Sequence, residues 1–158
     1  MTNSQRRALH ALSALALVWA GMLIGISFLA TPAKFLAPSL TLPVALDVGR
    51  QTFGLFSLVE IVFGFVLVAA AFVTRHERRV LIVAVLVGTC VALEVVWLLP
   101  VLDARVEIIL RGGTPEESRL HSLYIVFESA KLLLLGAFAW FAHAAGVRHF
   151  PRLETRVS

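Results

Sequence analysis

This chain has little charge and almost no cysteine. Asp, Glu, Lys and Arg make up 15% of its 158 residues, against about 25% in soluble domains. That shortage excludes a disordered chain, a coiled coil and an ordinary soluble enzyme. The one cysteine, Cys90, lies inside an apolar run, so there is no internal disulfide and no Cys-x-x-Cys metal or redox motif. The sequence also lacks a hydrolase elbow, a phosphate loop, a dinucleotide fingerprint and a zinc-protease motif. Gly112-Gly113 reads as a helix-breaking turn. No catalytic residue and no cofactor are therefore expected.

What the chain has is apolar surface. Hydrophobic residues reach 59% and mean hydropathy is +0.88. Four apolar runs, about 8–30, 53–73, 80–102 and 120–142, each approach the ~20 residues that cross a bilayer as a helix. They predict an all-α, polytopic membrane protein, a four-transmembrane-helix bundle in one domain spanning 1–158. Arg6 and Arg7 ahead of the first run also fit a secretory leader. The run, however, exceeds the usual 7–15 apolar residues, which favours a retained span. Gly21 and Gly25 within it form a G-x-x-x-G pattern that predicts close packing against another helix.

Boundary signals extend these helices. Pro43 predicts an early start for the second. The third continues through Pro100 with a kink, because Val101, Leu102, Val106, Ile109 and Leu110 keep an amphipathic spacing. Thr114-Pro115-Glu116-Glu117 has the form of a capping box, predicting that the fourth helix starts well before its apolar run. Helices two, three and four should then project as a collar on one side.

The net charge of +4 sits at the ends of apolar runs, which argues for membrane topology and against nucleic acid. Eight arginines (Arg6, Arg7, Arg75, Arg78, Arg79, Arg148, Arg152, Arg156) fall on the side holding both termini. Five basic residues (Lys34, Arg50, Arg105, Arg111, Arg119) fall on the other. The positive-inside rule then predicts both termini in the cytoplasm, in the plasma (inner) membrane. Expected partners are the lipid bilayer and either a second copy or another membrane protein.

Trp19-Ala-Gly21, then Phe28-Leu-Ala-Thr-Pro32 and Phe35, then Ala45, Gly49 and Phe53, with His121 opening the last span, form a pattern. It resembles the small four-helix membrane family of unknown function typified by transmembrane protein 205. More distantly it is similar to the copper-resistance D membrane proteins, which share a Trp-x-Gly first helix ending near a proline. The resemblance implies four-helix architecture and transfers no catalytic residue.

The residues that cost most in a bilayer are Glu60, Glu94, Glu128 and Lys131, at ~2.5–3.5 kcal/mol or more each on insertion scales. At ~1.5 Å per residue, counting from Arg50, Pro100 and His121, all four fall in one layer of the membrane. Their faces agree. His121, Tyr124, Glu128 and Lys131 form one stripe; Arg50, Ser57, Glu60 and Gly64 another; Cys90, Glu94 and Trp97 a third. Three readings follow. The layer is a structural ion-pair cluster, a proton or cation pathway with His121 and Tyr124 at its mouth, or a metal site. Lys131 and the missing Glu-x-x-His repeats oppose the metal. His10 and His143 at matched depth fit either a haem clamp or plain interfacial histidines, with nothing else pointing to haem. Two functions remain: a small protein translocating protons or cations through the Glu/Lys layer, or a non-catalytic scaffold or accessory subunit whose buried charges fix helix packing.

Overall fold

The computed structural model describes residues 2–73 and 77–148. Arg75, Arg152 and Arg156 of the predicted arginine side lie outside them. Among the described residues, four helices are long and apolar enough to cross a membrane: α1 (Asn3–Lys34), α2 (Leu42–Val73), α3 (Arg78–Leu110) and α4 (Leu120–Arg148). The protein is thus an all-α four-helix bundle with the composition of an integral membrane protein.

The helices run up and down around a square. α1 packs on α2 and α4, and α3 packs on α2 and α4. Two sets of contacts fix the ends. At the terminal face, His10 of α1 meets His143 of α4, and Arg148 pairs with Glu77 just ahead of α3 at 3.4 Å. At the opposite, loop face, Arg50 of α2 pairs with Glu107 of α3 at 2.8 Å. The core runs through Leu9, Leu12, Ala16, Trp19 and Leu23 of α1, Leu67 of α2, Val87 of α3, and Leu135 and Phe138 of α4. Large apolar residues such as Phe65, Val96, Leu133 and Trp140 point outward. Lipid solvates such side chains, so only packing and polar contacts hold the helices together.

α1 and α3 share a feature that the sequence does not announce. Each contains a widened, π-helical turn, Ile24–Ala30 in α1 and Glu94–Leu98 in α3, directly before a proline, Pro32 and Pro100. Proline has no N–H for the i−4 carbonyl, and its ring pushes that carbonyl away. In the turn ahead the register slips by one. The Thr31 N–H bonds the Ile26 carbonyl and the Leu99 N–H bonds that of Glu94. The Thr31 hydroxyl adds a second bond to the Ile26 carbonyl at 2.8 Å. Such turns re-aim side chains without breaking the helix, and they recur at functional sites.

Two boundary expectations resolve differently. α2 begins at Leu42 with Pro43 in its first turn, as expected, and α3 runs through Pro100 to Leu110. α4 begins only at Leu120, and Thr114 caps no helix. Residues 114–119 are largely exposed and offer no apolar stripe to pack, so a helical turn there gains nothing to offset its nucleation cost. Arg105 instead donates to the Glu116 carbonyl, tying this segment to α3. The collar therefore comprises α2 and α3 only.

Candidate functional site

The four costly residues meet. Lys131 is fully buried at the centre of the bundle. Its Nζ lies 2.7 Å from Glu60 Oε1 and 2.9 Å from Glu60 Oε2. It lies 2.5 Å from Glu94 Oε2 and 2.6 Å from Glu128 Oε1. Glu60 comes from α2, Glu94 from the widened turn of α3, and Glu128 from α4, one turn before the lysine. All three carboxylates are buried.

Helix α1 supplies two donors. Trp19 Nε1 donates to Glu60 Oε1 at 3.1 Å, and Ser27 Oγ donates to Glu128 Oε2 at 2.5 Å. Every helix thus contributes to one polar cluster. The sequence marks Trp19 only through the resemblance pattern and does not single out Ser27. Ser27 lies in the π-helical segment, whose wider turns lag the α-helical rotation and carry it back toward the face that Trp19 occupies. The signal for this was Pro32, read only as the end of the span.

The three carboxylates are not equally satisfied. Glu60 takes both lysine contacts and the indole N–H. Glu94 Oε1 is buried with no hydrogen-bond partner among the described residues. Glu128 Oε1 meets the ammonium without hydrogen-bond alignment. Three carboxylates against one ammonium leave two negative charges when all are ionised. In a low-dielectric interior this excess is heavily penalised. The same carboxylates present ligand oxygens within 4.8 Å of one another, the spacing of a hard-cation site. The lysine ammonium already fills the position such an ion would take.

The surroundings differ on the two sides. Toward the loop face, Tyr124 lies one helical turn before Glu128 and packs edge-on against Phe53 at 5.1 Å. Tyr124 and His121 both line a cavity of about 260 Å³ opening at that face. Tyr124 thus borders the cavity one turn from Glu128, whose Oε2 accepts from Ser27. Toward the terminal face, Leu67, Val87, Leu135 and Phe138 are fully buried and form an apolar seal. Arg50, grouped by sequence with the pathway, lines the cavity and pairs with Asp47 at 3.1 Å and Glu107 at 2.8 Å. It does not reach the cluster.

One further expectation is not met within the protomer. A Cβ added at Gly21 or Gly25 meets nothing within 4 Å, so neither glycine sits against another helix. The close contact between α1 and α4 lies instead at Gly146, where an added Cβ would fall 2.8 Å from the His10 ring. His10 and His143 touch edge to face, with ring centroids 5.3 Å apart. Direct ring contact leaves no room between them for a macrocycle and suits plain interfacial histidines.

Fold and site together define a class: a small integral membrane protein whose four helices enclose a buried Glu/Lys cluster. Comparison with protein-family models, curated proteins and solved structures finds no match to this chain.

Proposed function

We propose that this protein translocates protons, or a small cation, through its Glu/Lys cluster. The observation that carries the reading is the charge excess: three buried carboxylates share one ammonium. A cluster two charges short of neutrality binds protons or a cation, and a site that binds and releases them from two sides is a pump or carrier site. Glu60, fully hydrogen-bonded, acts as the standing counter-ion of Lys131. Glu94 and Glu128 are the groups that load and unload. Tyr124 and His121 connect the cluster to the loop face. The apolar seal is the gate that must rearrange for exit at the terminal face. Sequence reasoning favours Glu60 or Glu128 as the sensitive residue; the unmatched oxygens support Glu128 and Glu94.

By the arginine count, the terminal face is cytoplasmic and the membrane is the plasma (inner) membrane. Gly21, which is exposed, and Gly25, which is half-buried, are available to a second copy or to another membrane protein.

A second reading has its own support. The seal and the mutual pairing of all four charged groups suit a scaffold or accessory subunit in which the cluster fixes helix register.

Proteoliposome flux separates the two. Purified protein is reconstituted with an internal pH dye, and proton and alkali-cation gradients are imposed in turn. The transport reading expects flux in the wild type and its loss in Glu128→Gln, with the variant still folded. No flux under any gradient leaves only the scaffold.

A further inference from the structure

The cavity at the loop face has a chemistry of its own, distinct from the acid cluster beneath it. Its floor is Tyr124, one helical turn above Glu128, and much of its wall is apolar: Phe35, Leu46, Phe53, Leu99 and Leu102. Its charged lining is mainly basic, with Lys34, Arg50 and Arg105 against the single acid Asp103. Two of the four charges are already answered or displaced. Arg50 spends its charge on Asp47 and Glu107, and Asp103 is exposed to solvent.

Lys34 is the exception. Among the described residues it makes no ion pair. Its ammonium lies half-buried over aromatic rings, 5.1 Å from the centroid of Phe35 and 6.0 Å from that of Phe53. Cation–π attraction compensates only part of the hydration lost there. Gly49 makes this placement feasible, because an added Cβ would strike Lys34 Nζ. Among the described residues, Arg105 bonds the Glu116 carbonyl and no carboxylate. An unanswered ammonium held over aromatic rings in an apolar hollow is the complement of an anion carrying an apolar body.

We infer that this cavity binds a small amphiphilic anion, its anionic group on Lys34 and its apolar part against Phe35, Phe53 and Leu102. At about 260 Å³ the site suits a compact ligand, just below the usual ~300–1,000 Å³ of drug-sized pockets. The same chemistry is offered by a free short-chain carboxylate and by the headgroup end of an anionic phospholipid. The inference goes beyond the proton reading and does not rest on it.

The test uses the full chain in nanodiscs of neutral phosphatidylcholine, with hexanoate as probe and hexanamide as its uncharged counterpart. Binding is read by calorimetric titration and by the shift in thermal unfolding midpoint. Hexanoate is expected to bind and to raise the midpoint, and hexanamide to do neither. Lys34→Met removes the charge and Gly49→Leu fills the space while keeping it; each should weaken binding about tenfold or more. Should one variant fail to fold, the other carries the test. A free acid as natural ligand gives hexanoate binding that phosphatidylglycerol in the disc leaves unchanged. A lipid headgroup gives hexanoate binding that phosphatidylglycerol abolishes, and an unfolding midpoint that phosphatidylglycerol raises in the wild type and not in Lys34→Met. Equal binding of hexanamide, unchanged affinity in both variants, or no response to hexanoate or to phosphatidylglycerol would overturn the inference.

Discussion

Lys131 sets the energetics of the bundle. It touches three carboxylates from three helices, so its removal leaves the acids crowded and uncompensated. Breaking a buried pair by deleting one partner costs about 3–5 kcal/mol. Lys131→Met should therefore lower unfolding stability by that order in detergent. The sign of its pH dependence follows from the groups left behind. The carboxylates repel when ionised and not when protonated, so the variant should be most stable in acid and lose stability as pH rises. A melting series across pH checks this, and wild-type behaviour throughout would mean that the ammonium is not the cluster's centre. Trp19→Phe probes a smaller contact. It deletes one donor to Glu60 and leaves the lysine in place, so a loss of about 1.5–3 kcal/mol is expected in chemical unfolding. At this scale the sequence was informative wherever a residue's cost was unmistakable. Four ionisable groups inside apolar runs had to find one another, and helical spacing put them in one layer. It was silent on Ser27, whose polarity is cheap enough to sit anywhere in a span.

Helix existence was legible from hydropathy because a bilayer requires long apolar runs and leaves backbone hydrogen bonds to be satisfied within the helix. Helix ends were less so. Pro43 and the amphipathic spacing beyond Pro100 were sound guides, because tertiary packing backs both. The capping pattern at Thr114 misled, because a cap stabilises a helix that packing has already made worthwhile. The π-helical turns are invisible to a periodicity argument that assumes a constant rotation per residue. The glycines teach the same lesson. Gly21 and Gly25 match a packing motif but face open space, so Gly21→Leu should leave the protomer at least as stable, with up to about 1 kcal/mol gained from helix propensity. Thermal unfolding tests that. A smaller oligomer in the variant by light scattering would place Gly21 in a contact between copies. Gly146→Leu should do the opposite. It drives a side chain into the His10 ring and wedges α1 from α4, a strain of about 1–3 kcal/mol.

Across the whole molecule, the asymmetry between the two ends is the main fact. One end carries a cavity and a tyrosine one turn from Glu128; the other carries an apolar seal and arginines. The proposed cytoplasmic placement of the terminal face predicts an active C-terminal fluorescent reporter and an inactive C-terminal phosphatase reporter; the reverse pattern would invert the topology. In the proposed function the cluster takes up protons to offset its excess of negative charge. Infrared spectroscopy of the reconstituted protein at neutral pH reads it most directly, through the carbonyl stretch that only a protonated carboxyl group gives. A buried protonated-carboxyl band is expected, lost or diminished in Glu94→Gln or Glu128→Gln and retained in Glu60→Gln. A wild-type spectrum with no such band, in membranes free of other cations, would contradict it.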